Sequence, residues 1–177
     1  YVGGDFRYHE TDAQHGLFHL HPDFSVDLDF PRTNRKVYNL KILGDTLYLG
    51  GSFTEVGGLV RVGLAAINIQ TYEILDLDVK INGTVQSLDI IDDQLYAGGN
   101  FNAVNGFGEY GVFLNPVTGD VSTYSSEPNG SITASVPDAN GGYFIGGEFT
   151  SIGDSARIGL AHYNEEGKVT SWQCSFS

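Results

Sequence analysis

Histidine is the residue type in this sequence that could most readily do chemistry, because it is concentrated near the beginning. Four of the five histidines are His9, His15, His19 and His21. His19 and His21 are two positions apart, so on a β-strand they face the same side, a spacing that suits a metal ion. His19, however, shares an internal repeat position with Ala66 and His162, and His21 falls where Asn68 makes a turn. No third and fourth ligand has a suitable spacing, so we expect strand and turn residues and no bound metal.

Acidic and basic side chains that recur form a second set of candidates. Two aspartate pairs, each on one strand face, could hold calcium; they are Asp27 with Asp29 and Asp76 with Asp78. Because apolar residues alternate with them on predicted outermost strands, we expect a solvated outer face instead. Arg61 and Arg157 occupy one repeat position, where a guanidinium can tie loop carbonyls or an acidic neighbour. An active residue has no reason to repeat, so the prediction for both arginines is structural.

Two sequons and one cysteine remain. Asn82-Gly-Thr and Asn129-Gly-Ser stand at equivalent positions, and Asn-Gly is also typical of a tight turn, which we favour over glycosylation. The single Cys174 has no partner for a disulfide within the chain, and a small buried hydrophobe is the simplest interpretation. The alternative is pairing with a segment outside these residues. The sequence contains no nucleophile elbow, no zinc-binding His-Glu-x-x-His and no phosphate-binding loop.

The elements that carry these residues are set by an internal repeat. The stretches YVGGDF, YLGGSF, YAGGNF and FIGGEF begin at Tyr1, Tyr48, Tyr96 and Phe144, which are 47, 48 and 48 positions apart. A period between 20 and 50 residues is typical of a solenoid, a propeller or an array. Paired glycines within a strand indicate that another backbone or a bulky ring approaches closely there. The flanking aromatic residues are then packing contacts between neighbouring units.

Each unit divides into four predicted antiparallel strands. An alternating strand such as VYNLKIL or VQSLDII comes first, then a polar turn and the glycine-pair strand, which together form a hairpin. A glycine-bearing loop leads to a third strand such as GLAAIN, and a second turn leads to a fourth such as EILDLDV. Four short strands in about 48 residues make one β-propeller blade. The expected fold is all-β, with no helix.

At this point the chain resembles a known family. The pattern Tyr-x-Gly-Gly-x-Phe-Thr followed by Arg-x-Gly-Leu-Ala resembles the delta-60-type β-propeller repeat, a kelch-like unit common in exported proteins. The second unit, with YLGGSFTEVGG and RVGLAAIN, and the fourth, with FIGGEFTSIGD and RIGLAHYN, match it best. Gln14 and Glu109 replace the arginine in the first and third units. The resemblance implies a fold and an exported setting, but no reaction.

Kelch-like strand order defines the unit boundaries that we use below. Unit 1 (residues 1–34) is a partial blade, and units 2 (35–81), 3 (82–128) and 4 (129–177) are complete blades, about 3.75 blades in all. The inner strand of unit 1 is missing, so either the units close a small ring with imperfect pairing or they belong to a larger propeller. Because the pattern is cut at both ends, we expect the larger propeller of seven or eight blades.

Charge and the absence of catalytic motifs determine the functional expectation. The formal net charge of −13 repels nucleic acids and anionic membranes, and no apolar run is long enough for membrane insertion. We expect a non-enzymatic, extracellular or cell-surface binding or scaffold module without a cofactor, whose partner is a protein or the remainder of a larger propeller, or a glycan. The alternative is a carbohydrate-active enzyme or lectin with its site in the propeller funnel. The expected contact residues, all in irregular loops, are Tyr8, His9, Phe107 and Tyr110.

Overall fold

The computed structural model describes residues 1–7, 14–77, 79–91, 93–122 and 126–173, and this part of the chain is entirely β-structure and irregular loops. In chain order the strands are β1 (Val2–Arg7), β2 (Gln14–Phe18), β3 (Val37–Leu43), β4 (Thr46–Gly51), β5 (Glu55–Val56), β6 (Leu59–Val60), β7 (Leu64–Asn68), β8 (Thr84–Ile91), β9 (Gln94–Asn100), β10 (Gly111–Leu114), β11 (Val121–Ser122), β12 (Ile132–Pro137), β13 (Tyr143–Gly147), β14 (Ser151–Ile152), β15 (Ser155–Ala156) and β16 (Leu160–Tyr163). The described residues contain no helix that could cross a membrane. The predicted all-β class is confirmed.

Units 2 to 4 are antiparallel meanders in which the glycine-pair strand is central. The sheets run β3-β4-β7 in unit 2, β8-β9-β10-β11 in unit 3 and β12-β13-β16 in unit 4, while unit 1 contributes β1-β2. The first strands of successive units pack on one another, β3 on β8 and β8 on β12. They therefore lie innermost, as the predicted blade order requires, and the described strands form part of a β-propeller.

The fourth strand is shorter than the sequence pattern indicates. Only unit 3 has one long enough to be named, and elsewhere it is a single bridge, such as Ile67 to Ile74. In unit 2 the backbone N–H of Leu77 donates to the carbonyl of Leu75, and that of Val79 donates to Leu77. These tight three-residue turns use the donors that a longer ladder would need.

The loop between the second and third strands contains a small hairpin that the sequence pattern did not predict. The pairs β5-β6 and β14-β15 form it in units 2 and 4. An asparagine before each inner strand holds this loop, because the side-chain oxygen accepts two backbone N–H bonds from it. The asparagines are Asn34, Asn82 and Asn129. The Asn-Gly of the two sequons is therefore a loop anchor, not a hairpin turn, and glycosylation remains untested.

The paired glycines are explained by close approach, as predicted. A Cβ on the first glycine, Gly50, would lie 2.8 Å from Val85 Cγ1 and 2.9 Å from Leu88 Cγ of the next inner strand. A Cβ on the second, Gly51, would lie 2.2 Å from the carbonyl oxygen of Lys36 in the same sheet. The pairing of β3 with β4 shifts register at a β-bulge between Val37 and Asn39, directly after that carbonyl. The first glycine thus accommodates the neighbouring unit, and the second accommodates its own inner strand.

The hydrophobic core is divided into three clusters, each lying between two successive units. One contains Leu17 of unit 1 with Leu49 and Phe53 of unit 2, and the next joins Tyr48 of unit 2 to Leu88 of unit 3. The third joins unit 3 to unit 4. Units 2 and 3 are therefore covered on both faces of the sheet, and units 1 and 4 on one face each. Among the described strands, no extensive contact joins β1 or β2 to the last sheet.

Candidate functional site

In units 1 to 3, the following unit covers one face of the sheet. The equivalent face of unit 4 has no neighbour among the described residues. We call it the last-unit face, and it is formed by Val136, Phe144, Gly146, Leu160, His162 and Trp172. Tyr48 and Leu64 are 3% and 0% exposed, whereas the corresponding Phe144 and Leu160 are half-buried. Trp172 is 40% exposed, whereas the corresponding Leu77 is 1% exposed. The last-unit face is therefore a partly apolar surface of a kind that is buried elsewhere in the same chain.

Gly146 shows the difference at the level of atoms. A Cβ on Gly3 would lie 3.0 Å from Val37 Cγ1, and one on Gly98 would lie 2.7 Å from Ile132 Cγ2, both on the following inner strand. The nearest atom to a Cβ on Gly146 is Leu160 Cδ2 of its own sheet, at 3.4 Å. In the other units a side chain of the following unit explains why this position is glycine. At Gly146 no such side chain is present among the described residues.

A polar cluster crosses the last-unit face. His162 Nε2 lies 2.7 Å from Asp138 Oδ2, and His162 Nδ1 lies 3.1 Å from Thr170 Oγ1. The hydrogen bond from His162, together with the backbone N–H groups of Asn140 and Gly142, holds the pKa of Asp138 below its usual value. The cluster borders a recess of about 270 Å³ that Asn164 and Glu165 also line.

Aromatic rings pack on the imidazole of this cluster. The Phe144 ring centroid lies 4.4 Å from that of His162, and Trp172 packs edge-on against Phe144 at 5.1 Å. Both rings come from the last-unit face, so an imidazole, a carboxylate and two aromatic rings meet at one surface. The repeat pattern aligned His162 and Phe144 with equivalent residues of the other units. It did not indicate that this face of unit 4 is uncovered.

His19 occupies the same repeat position as His162, but it lies at the face of unit 1 that unit 2 covers. His19 Nδ1 is 2.9 Å from Asp27 Oδ2, and the Tyr72 hydroxyl of unit 2 donates to the same oxygen at 2.8 Å. These two hydrogen bonds lower the pKa of Asp27 to about 2. The prediction of a solvated face is wrong for Asp27, which is 6% exposed between units 1 and 2, while Asp76 is exposed. Asp78 lies outside the described residues.

Unit 1 has a strand edge that is paired in the other units. The glycine-pair strands β4, β9 and β13 each hydrogen-bond to two neighbours, but β1 pairs only with β2 among the described residues. Phe6 of β1 is half-buried, whereas the corresponding Phe53, Phe101 and Phe149 are at most 2% exposed. The missing inner strand of unit 1 that the sequence predicts is thus absent from the described part of the chain.

The expected loop contacts lie at different depths. Phe107 is 58% exposed at the tip of its loop, where it bridges back to Val104. Tyr110 is half-buried and packs against the cluster between units 3 and 4, which leaves less of its ring available to a partner. Tyr8 and His9 lie outside the described residues. A contact role for all four remains a prediction.

The recurrent arginines act as the sequence predicts. Arg157 donates to the carbonyls of Ala156 and Thr170, the second at 2.5 Å, and Arg61 donates to the carbonyls of Val60 and Leu75. Leu75 and Thr170 occupy equivalent positions beside the third strand. Each arginine therefore ties its small loop to the outer segment of the same unit.

The charged residues of the described inner strands pair with each other. Lys41 Nζ lies 2.8 Å from Asp89 Oδ1, and Ser135 Oγ donates to Asp89 Oδ2 at 3.3 Å. Ser87 and Ser135 are hydrogen-bonded at 2.6 Å. The chain of contacts links three successive inner strands near the axis, so these side chains hold the units together.

No three His, Cys, Asp or Glu side chains within residues 1–7, 14–77, 79–91, 93–122 and 126–173 are grouped as a metal site requires. The predicted role of Cys174 cannot be related to geometry, because this residue lies outside those ranges.

Comparison with known proteins adds one finding. No protein-family model and no curated protein matches the sequence. The solved WD40 β-propeller domain of Doa1 is similar to 73% of this chain, with 9% identity and a TM-score of 0.41. The match covers 50% of the Doa1 chain, so this protein spans about half the length of that chain.

Proposed function

We propose that this chain is a non-enzymatic scaffold and binding segment of a β-propeller, and that the last-unit face is where its protein partner docks. The observation that carries the proposal is the contrast at the first glycine of each pair. Gly3, Gly50 and Gly98 face side chains of a following unit, and among the described residues Gly146 faces no such side chain. A partner that resembles a further unit would bury the same kinds of side chain that are buried at the covered faces of units 2 and 3, where Tyr48 and Tyr96 are at most 3% exposed.

The repeat type and the setting belong to the same proposal. The glycine-pair pattern and the recurrent Arg61 and Arg157 support a kelch-like, delta-60-type repeat, and the inner-to-outer strand order is compatible with it. An extracellular or cell-surface location is supported by composition, with 22 acidic residues against nine basic ones. The remainder of a larger propeller is the partner that these features favour.

Hydroxyl-radical footprinting tests the docking surface. The chain expressed alone is compared with the same residues in the particle isolated from its natural source, and oxidation is read by mass spectrometry. We expect Trp172, 40% exposed here, to be oxidised in the isolated chain and protected in the particle. Phe24, which is 82% exposed at the tip of another turn, is the control and should react equally in both.

The same experiment reports on the loops. Protection of Phe107 in the particle would support the predicted loop contact, whereas equal oxidation would contradict it. If Trp172 reacts equally in both samples, the last-unit face is not the docking surface and the proposal fails.

Glycan binding is the second candidate, and one observation favours it. Asp138 and His162 line a recess, Phe144 packs on His162, and Trp172 packs on Phe144. Aromatic rings with nearby polar groups suit a sugar. A glycan array with the isolated chain tests this candidate, with Trp172→Ala as the variant and Phe24→Ala as the control. Binding that both variants retain would exclude the recess. The funnel has weaker support, because its charged residues Lys41 and Asp89 pair with each other.

A further inference from the structure

The covered face of unit 1 is built like the last-unit face, which identifies what the last-unit face can accept. In both units an aromatic ring of the glycine-pair strand packs on a histidine of the third strand, Tyr1 on His19 at 4.7 Å and Phe144 on His162 at 4.4 Å. The backbone N–H of Asp27 donates to the carbonyl of His19, and that of Thr170 donates to His162. Asp27 and Thr170 therefore occupy the same position beside their histidines.

Unit 2 covers the unit 1 face with two kinds of contact. Val37 and Leu40 of its inner strand lie over Gly3, with carbon atoms 3.0 and 3.3 Å from where a Cβ would be. Tyr72, from the turn between its third and fourth segments, stands edge-on to His19 at 6.1 Å. The Tyr72 hydroxyl also donates to Asp27, so Tyr72 contacts both His19 and the carboxylate that is hydrogen-bonded to it.

The other two interfaces lack both the histidine and the tyrosine. In units 2 and 3 the histidine position holds Ala66 and Phe113, and the position of Tyr72 in unit 3 is Gly119. A Cβ on Gly119 would lie 2.9 Å from Val79 Cγ2, so a glycine is needed where the facing surface is aliphatic. Within this chain, a tyrosine at the turn occurs together with a histidine on the face that it covers.

Thr170 can accept the hydrogen bond that Asp27 accepts in unit 1. Asp138 accepts from His162 Nε2, so in the Nε2–H tautomer of the uncharged imidazole Nδ1 accepts from the Thr170 hydroxyl. Thr170 Oγ1 also accepts from the backbone N–H of Trp172 at 3.2 Å. A hydroxyl oxygen has two lone pairs, so one is left for a further donor.

We propose that the last-unit face binds a further unit of this repeat type whose inner strand places a branched aliphatic residue on Gly146 and whose turn places a tyrosine over His162, with the hydroxyl donating to Thr170. The inference rests on the proposed function and adds the chemistry by which the partner is recognised. Of the units in this chain, unit 2 has both features and unit 3 has only the first.

A tandem chain tests this directly. A copy of residues 35–81 is joined after residue 177, and Ser177→Asn supplies the loop anchor that Asn34 supplies to unit 2. The repeat spacing is kept, because position 177 follows Val169 by eight positions as Asn34 follows Val26. A second tandem chain carries residues 83–128 instead. Trp172 is the only tryptophan and neither copy adds one, so its fluorescence reports on the last-unit face alone. We expect the 35–81 copy to shift Trp172 emission to the blue, to reduce acrylamide quenching and to raise the unfolding midpoint.

Three variants separate the parts of the inference. Gly146→Val should abolish the change in Trp172 fluorescence in the tandem chain while leaving the original chain folded, because a Cβ at Gly146 meets its nearest neighbour, Leu160 Cδ2, at an ordinary contact distance of 3.4 Å. Tyr72→Phe in the appended copy keeps the ring and removes the hydroxyl, so the midpoint should fall. Thr170→Val also removes the hydrogen bonds of Thr170 to His162 and to the Trp172 backbone, so its effect in the original chain is subtracted first. The remaining loss in the tandem chain should be similar to that of Tyr72→Phe, and combining the two changes should add little, because both remove the same hydrogen bond between units.

Each outcome is decisive. If the 83–128 copy protects Trp172 as well as the 35–81 copy does, or if Tyr72→Phe has no effect, the tyrosine inference is wrong and the scaffold proposal stands. If neither copy protects Trp172, the last-unit face does not bind a unit of this repeat, and the inference and the proposed partner both fail.

Discussion

Adding one methyl group at equivalent glycines should give opposite results in different units, and this tests the account of the repeat. In Gly50→Ala the new Cβ would stand 2.8 Å from Val85 Cγ1 and 2.9 Å from Leu88 Cγ, closer than packed side chains allow. In Gly146→Ala it would stand 3.4 Å from Leu160 Cδ2, an ordinary contact. The two substitutions are chemically identical and lie on equivalent strands.

The expected difference follows from two terms. Replacing glycine by alanine in a strand stabilises by roughly 0.5–1 kcal/mol, and this applies at both sites. Overpacking costs about 1–3 kcal/mol and applies only at Gly50, where Val85 and Leu88 must move. The two variants should therefore differ by about 1–3 kcal/mol, with Gly146→Ala as stable as the original chain or slightly more stable.

Thermal unfolding by calorimetry and urea unfolding by circular dichroism measure this difference. At this size about 1 kcal/mol corresponds to about 2–4 °C, so the two midpoints should be separated by at least about 2 °C. Gly51→Ala is the harsher variant, since its Cβ would meet the Lys36 carbonyl at 2.2 Å and backbone cannot yield by changing a rotamer. If Gly146→Ala destabilises as much as Gly50→Ala, the first glycine serves its own strand and not the neighbouring unit, and the reasoning is refuted.

Three further predictions concern polar contacts. Because the folded pKa of Asp27 is about 2, below the usual value of about 3.9, its contribution to stability is present above about pH 4 and lost as the pH falls to about 2; acid unfolding should therefore be less steep in Asp27→Asn. Asn34→Ala removes the acceptor of two exposed loop N–H groups and should cost about 0.5–1.5 kcal/mol in urea unfolding, whereas Asn34→Asp should retain most of the stability. Lys41→Ala leaves the buried Asp89 without its ion pair and should destabilise by about 1–3 kcal/mol, and the loss should shrink in the Lys41→Ala, Asp89→Ser double variant.

Several features of the fold could be predicted from local patterns. Alternating apolar residues in VYNLKIL and VQSLDII identified inner strands, and the glycine pairs indicated close approach at Gly50 and Gly51. The small hairpins β5-β6 and β14-β15 were missed, because two-residue strands have too few positions to show an alternation. The outer strands were predicted too long, because local turns at Leu77 and Val79 use donors that the residue types alone assign to a ladder.

The candidate site was less predictable than the fold. His162 and His19 share one repeat position, and the sequence treats them alike. Their surroundings differ because Tyr72 of the next unit covers His19, while no described residue covers His162 in the same way. Asp27 was expected in solvent for the same reason, since its burial depends on a tyrosine that is 45 positions away.

The sequence by itself determined the repeat length, the strand order and the positions where only glycine fits, because these depend on steric and periodic properties of short segments. Only the tertiary structure decided which repeat faces are covered, which carboxylates are buried between units and where the imidazole of His162 meets Phe144 and Trp172. Those properties arise from contacts between units, and identical residues acquire different environments when one unit has a neighbour on a given face and another does not.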